Sequence, residues 1–273
     1  MKEKYGLQFY ERQENIIDRM LLEQDAIPFA VLRAIVNSGS ERVFTDHRQV
    51  IICHSASPWP VWIWFSQKAG EEVFQMAANC LKNEFPVGEG YLYNLTYEAL
   101  ERLKARDLKG LAVIINMLCY RCDRLLKIPE ASEGRGRLAQ KEDIPLIAQW
   151  KQQITLEAEK RETDIEQCLQ SVRAQVEQKT LFLWENARQQ PAAMASRNDD
   201  GALSKVMGVY TIPQERRKGF ALHLVHQITG DILREGKTPV LYTDADYGAS
   251  NACYRKIGYR QVARLCTAGK AQG

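Results

Sequence analysis

Residues 208–225, GVYTIPQERRKGFALHLV, set the tightest constraint on how this chain folds. An apolar, strand-like run meets Pro213, then Arg216, Arg217 and Lys218 in succession, then Gly219 and a helical pattern. Cations sit at the wrong end of that helix, because a helix N-terminus already carries partial positive charge. The arrangement makes sense when an anion occupies the loop. Gly219 permits close backbone approach, and the helix that follows offers free N–H groups. Successive amides in a turn that enters a helix form an anion-binding concavity, and three basic side chains beside it favour a polyanion. The stretch is not a P-loop, since G-x-x-x-x-G-K-[ST] is absent. With a single glycine before the helix it is not a dinucleotide fingerprint either.

Around this unit the hydrophobic pattern alternates between short strands and helices. Apolar positions at helical spacing over residues 7–36 predict two helices broken by Pro28. RVFTDHRQVIICHS and VWIWFS read as β segments around the SPWP turn, GEEVFQMAANCLKNEF as a helix and GYLYNL as a strand. TYEALERLKAR is a helix with Thr96 as N-cap, and LAVIINMLCY a buried strand. The Gly-, Pro- and charge-rich segment 128–143 reads as a linker ending in a new first strand. Beyond it the predicted order is β-α-α-β-β-β-α-β-α-β. The division expected is an N-terminal α/β domain over 1–127 and a second domain over 128–273. Residues 41–122 also run β-β-α-β-α-β, a similarity of order without a sequence repeat.

A chain of 273 residues, 45% hydrophobic and 26% charged, has the composition of a globular protein with a sizeable core. A net charge of +3 gives no bulk argument for nucleic acid, and a loop-bound RNA partner would need a steep salt dependence. The longest apolar run, residues 110–119, is too short to span a bilayer, and no export signal is visible in the first twenty residues. A cytoplasmic address with reduced cysteines is expected, and no membrane partner. The seven cysteines include one C-x-x-C pair, Cys119 and Cys122. Neither a second pair nor a nearby histidine pair completes a zinc site, so no metal is expected and these read as ordinary semi-buried thiols. His223 and His226 fall on one helix face, which reads as solvated. Trp59, Trp62 and Trp64 read as core and sheet-edge packing. Trp150 and Trp184 are either core or walls of an acceptor pocket.

Arg216-x-x-Gly219-x-Ala221 resembles the Q/R-x-x-G-x-G/A pyrophosphate motif of the GNAT acetyltransferases. YTDADYGASNACYRKIGYR, at the right distance beyond it, resembles that family's next strand and the helix ending in Tyr-x-x-Ile-Gly-Tyr. The resemblance covers about 130–268. It implies an α/β fold of GNAT type, with a mixed, mostly antiparallel central sheet flanked by helices and an additional N-terminal α/β domain. It also implies acetyl-CoA as co-substrate, lying where the fourth strand of the domain splays from the fifth. The backbone of Val209, Tyr210 and Thr211 would then pair with the pantetheine amides. Amides of Arg216, Arg217, Lys218, Gly219, Phe220 and Ala221 would hold the pyrophosphate, with the Arg217 and Lys218 side chains available to the phosphates. An N–H near Val209 or Tyr210 would polarise the thioester carbonyl. Asn251 would contact the cofactor arm, and Tyr254 would protonate the departing thiolate.

The activity so implied is N-acetylation of a small-molecule or peptide amine by direct attack in a ternary complex, by a monomer or homodimer. A non-catalytic acyl-CoA-binding regulatory module is the alternative. Glu185, Asp244 and Asp246 are candidate bases, and their spacing selects none of them. Asn251 also fits a helix cap, and Tyr254 a packing residue. The N-terminal half has no match to the pyrophosphate motif. If it is GNAT-like, it is a degenerate copy.

Overall fold

The computed structural model describes the backbone of all residues except 1, 5–6, 11–24, 39–41, 107, 130–132, 160–161 and 272–273. Contacts divide the chain into two units. One comprises Met1–Cys119, Thr243–Tyr247 and Gln261–Gly273, the other Tyr120–Tyr242 and Gly248–Arg260. This differs from the expected contiguous cut at 127/128, because two twelve-residue strands, Leu111–Cys122 (β7) and Tyr259–Lys270 (β13), each contribute to both units. Pairing at such sequence separation leaves no local pattern to read.

In the first unit, Lys2–Lys4 (β1), Leu7–Tyr10 (β2), Arg42–Thr45 (β3), Val50–His54 (β4) and Val61–Phe65 (β5) form an antiparallel run. Leu7–Tyr10 is thus a strand where helical spacing predicts a helix, its backbone claimed by pairing with Val43, Phe44 and Thr45. The remainder of that predicted helix lies outside the described residues up to Gln24. Ala30–Ser38 (α1) follows Pro28 as expected. Glu71–Glu84 (α2) then crosses to Tyr93–Leu95 (β6), which pairs parallel to β5 through Val61↔Tyr93 and Trp62↔Asn94. Tyr97–Lys104 (α3) is capped by Thr96, whose Oγ1 accepts from the Ala99 amide at 3.1 Å. β13 closes the unit, antiparallel to β6 with Cys266 opposite Leu95. The core packs Phe44, Ile52, Phe74, Leu81, Phe85, Tyr93 and Leu100 together, all 2% exposed or less. Each such side chain contributes about 1.5–3 kcal/mol on burial.

The start of α2 is filled from within. Glu71 and Glu72 occupy its first turn, and Gly70 caps it at a negative φ of −81°. Arg102 donates to Glu71 at 2.8 Å and to the Ala69 carbonyl at 3.1 Å, and Arg106 pairs with the same carboxylate. Acidic side chains there answer the helix dipole directly.

The second unit repeats that order with longer elements. Arg135–Leu138 (β8), Leu181–Glu185 (β9), Pro191–Asp200 (β10) and Leu203–Thr211 (β11) are antiparallel in sequence. Ile144–Glu159 (α4) and Ile165–Glu177 (α5) connect the first two. Phe220–Arg234 (α6) crosses from β11 to Thr238–Asp244 (β12), and Gly248–Ile257 (α7) leads to β13. Asp143 ends a 3₁₀ turn and closes a capping box with Gln140, and Arg137 grips its carboxylate with two bonds of 2.7 and 3.0 Å. Ile147, Ala148, Trp150, Val172, Leu183, Met194 and Tyr210 make a core between α4, α5 and the sheet.

Cys119 and Cys122 are buried free thiols, as are most of the seven. Burial pushes them up to about 12 and about 11, which leaves them protonated and inert. β7 is not buried throughout as expected, since Val113 and Ile114 are 39% and 50% exposed.

Candidate active site

β11 is paired unequally on its two sides. Toward β10 the ladder runs its whole length, from Leu203 opposite Asp200 to Thr211 opposite Ala193. Toward β12 it has three rungs, Leu203↔Thr238, Ser204↔Pro239 and Lys205↔Val240, and then the strands part. Residues 206–211 therefore present one backbone edge without a β12 partner, and an unpaired edge of that kind is a template for an extended ligand.

A bulge falls in the same stretch. Met194 faces Tyr210 while Ser196 faces Met207, so β11 carries one extra residue there. Gly208 supplies the positive φ, +61°, that a bulge of this type needs. Ser196 Oγ donates to the Met207 carbonyl at 3.2 Å and pins the distortion. Such bulges turn the following amides out of the ladder direction.

β11 ends in a 3₁₀ turn, Pro213–Glu215, and then reaches α6 through the cationic loop. Arg217 and Gly219 both have positive φ, 67° and 86°, with Lys218 between them outside that region. Alternation of this kind curls the backbone so that successive amides converge. The Arg216 amide donates to the Pro213 carbonyl and the His223 amide to Gly219. Among the described residues, none of the amides of 217–222 donates a hydrogen bond. A run of free donors therefore stands at the start of α6.

The cations play unequal parts. Arg216 points back into the protein: Nε donates to the Thr211 carbonyl at 3.0 Å, the guanidinium grips Glu157 of α4 at 2.8 Å, and it lies 5.6 Å above the Tyr210 ring. Its side chain fastens the loop to β11, and the Thr211 carbonyl is thereby engaged. Lys218 pairs with Glu215 at 2.6 Å on the exposed surface. Arg217 makes no ion pair among the described residues. The three cations are therefore not three free phosphate ligands, and Arg217 is the one left available.

Val209 and Thr211 are partly buried, and Tyr210 is buried with its hydroxyl donating to Gln153 Oε1 at 2.9 Å. Asn251 and Tyr254 lie three residues apart on the buried face of α7, 3% and 8% exposed. Tyr254 packs edge-to-face on Tyr259 at 6.1 Å, and its hydroxyl makes no hydrogen bond among the described residues. Burial drives it well above the ordinary phenol range, so it holds its proton at any working pH.

Residues 175–267 match the family model described as FR47-like protein. An acetyltransferase from the GNAT family from Colwellia psychrerythraea superposes with a TM-score of 0.61 at 13% identity, over 97% of this chain and 99% of that one. A GCN5-related N-acetyltransferase from Sphaerobacter thermophilus gives 0.64 at 14% identity, covering 94% and 91%. One from Kribbella flavida gives 0.59 at 17%, covering 94% and 96%. The chain has the GNAT fold. No curated protein matches it.

The three carboxylates expected as candidate bases differ in their partners. Glu185 is taken: Arg137 donates to it at 2.6 Å and Arg135 at 3.2 Å, and the Arg137 bond above all holds its carboxyl below the ordinary range. A carboxylate so held is a poor base. Asp246 accepts from Asn116 at 3.4 Å, and Asp244 accepts from the Asp246 amide at 3.0 Å. Trp184 belongs to the core, stacked on Phe220 at 6.2 Å and His223 at 5.6 Å. Trp62 and Trp64 are buried, while Trp59 is 59% exposed. Trp150, though 5% exposed, also lines a pocket of about 630 Å³ with Gln153, Glu157, Pro191, Tyr210 and Ile212. Glu157 was invisible to sequence reasoning, being 59 residues from the Arg216 it holds.

Proposed function

We propose that the chain is an acetyl-CoA-dependent N-acetyltransferase acting on an amine. One observation carries this reading: the free edge of β11 beyond Lys205 leads straight into the run of free amides at 217–222. An extended amide-bearing arm that ends in a pyrophosphate matches both parts in order. The pantetheine would pair along Val209 and Tyr210, and its pyrophosphate would sit on the amides of residues 217–221 with the Arg217 side chain beside it. Metals are not needed to hold this anion, since the amides and the α6 dipole face it.

The thioester carbonyl would lie at the bulge, where the Val209 or Tyr210 amide can stabilise the developing oxyanion. Rate enhancement would come chiefly from holding amine and thioester in one cleft. Tyr254, kept protonated by burial, would return a proton to the leaving sulfur. Asn251, one helical turn earlier, would face the arm.

The first unit shares the order of elements but not the cradle, because Glu71 holds the place at the start of α2 where a phosphate would go. We read it as a degenerate GNAT-like domain without a cofactor.

Calorimetry with acetyl-CoA is the deciding experiment. Saturable binding lost in Gly219→Asp supports the reading, and no binding at millimolar ligand ends it. Release of free CoA across an amine panel then separates an enzyme from a regulatory acyl-CoA binder.

A further inference from the structure

Trp150 is buried and lines a pocket at the same time. Leu146, Trp150, Gln153 and Glu157 recur every three or four residues along α4, so one face of that helix presents all four. Tyr210 and Ile212, at the end of β11, line the same pocket of about 630 Å³. That volume suits a small organic molecule, and so does a lining of apolar walls with a few polar groups. Tyr210 has a second part, since its amide or that of Val209 is the proposed oxyanion donor. One occupant of this pocket can therefore touch Glu157 and Tyr210 together.

Charge in the pocket has one sign. Among the described residues that line it, Glu157 alone is charged. Arg216 is not one of them, and its guanidinium is given to Glu157 and the Thr211 carbonyl. A carboxylate can accept about four hydrogen bonds, of which one Arg216 nitrogen supplies those at 2.8 and 3.1 Å. The two side chains are 44% and 50% exposed, and a pair so open to water is weak enough to be shared with a second cation. An ammonium fits beside Glu157. A ligand carboxylate would meet repulsion there and no cation of its own. The attacking nitrogen, however, must be neutral, whereas a nitrogen held by Glu157 is charged. One nitrogen cannot do both at once.

We propose that this pocket takes a diamine: one ammonium stays on Glu157, and an amine across an apolar spacer receives the acetyl group. The proposal rests on the acetyltransferase reading. The free amine's lone pair attacks the thioester carbonyl carbon, a C–N bond forms, and the C–S bond breaks with its electron pair going to sulfur. That nitrogen loses one proton and sulfur gains one, so the exchange balances without oxidant or reductant.

The test compares α,ω-diamines of four to eight carbons with hexylamine and 6-aminohexanoate, reading CoA release and product mass. At least one diamine should be mono-acetylated with kcat/KM tenfold or more above hexylamine, and 6-aminohexanoate should be poorest. Glu157→Gln should bring diamine and hexylamine to the same kcat/KM. Because this is a ratio within one variant, a general loss of stability or of cofactor affinity does not imitate it. A diamine preference that survives Glu157→Gln overturns the proposal, as does hexylamine matching the diamines in the wild type. A chain that binds acetyl-CoA by calorimetry and acetylates no diamine also overturns it, and leaves the acetyltransferase reading standing. A chain that does not bind acetyl-CoA overturns both.

Discussion

Lys205 stands opposite Val240 on the last rung that β11 shares with β12. One residue further the ladder is open, and the polar backbone from there to Thr211 has β10 on one side only. Backbone groups left unpaired in a protein interior cost free energy unless water or a ligand meets them. Acetyl-CoA should therefore slow hydrogen exchange at 206–211 and 217–222, while amides of β8 and β9 keep their rates. Uniform protection over the whole unit would instead indicate global stabilisation without a specific docking edge.

Gly219 is at φ +86°, where a side chain is strained, yet a Cβ would meet only His223 at an ordinary 3.6 Å. Gly219→Ala should cost about 1 kcal/mol of stability from backbone strain. The larger effect should be on the ligand: acetyl-CoA affinity should fall tenfold or more, because the twist that converges the amides relaxes. Calorimetry beside a thermal melt separates the two, and unchanged affinity would remove Gly219 from the cradle.

Tyr254→Phe removes one oxygen from a buried ring that packs on Tyr259. Its fold and its acetyl-CoA affinity should stay near wild type. CoA release with any amine that serves as acceptor should drop by about 100-fold or more, the scale of a lost general acid. Because burial already raises this hydroxyl above the phenol range, no limb of the wild-type pH profile between pH 6 and 10 should belong to it.

Arg137 holds two buried carboxylates at once, Asp143 and Glu185, 9% and 7% exposed. Burial pushes the Asp143 carboxyl up, but Arg137 and the Gln140 amide outweigh it and hold it down. At Glu185 the Arg137 bond is the leading influence. Both folded pKa values are depressed, so this stabilisation is complete above about pH 4 and is lost as pH falls through the folded values. Arg137→Ala should cost about 3 kcal/mol at pH 7, since it leaves Asp143 buried without a cation and Glu185 with Arg135 alone. At Asp143 burial, the largest influence there, is then opposed only by the Gln140 amide and raises the carboxyl, so the variant should recover relative to wild type near pH 4. Melting curves at the two pH values check the sign.

Much of the second unit was legible because its signals are local. The left-handed turn at Gly219 and the helices at Phe220 and Gly248 are set within a few residues, and in the first unit Thr96 caps its helix as its position implies. What escaped notice depends on distant partners. Leu7–Tyr10 has helical spacing, but β3 decides it. Arg216 reads as a phosphate ligand until Glu157 is placed beside it. The bulge at Gly208 needs the register of β10 to appear, and the second half of β13 pairs with β6, more than a hundred residues away.

The two helix starts also differ in what they ask of the solution. Glu71 gives α2 a counter-ion that can never diffuse away. α6 has none, and its free amides leave part of the second unit's stability to whatever anion is present. Melting temperature should therefore rise with the logarithm of inorganic pyrophosphate concentration, and with it the chain's resistance to proteolysis. If CoA is that anion, its supply would then set how much of this protein survives proteolysis.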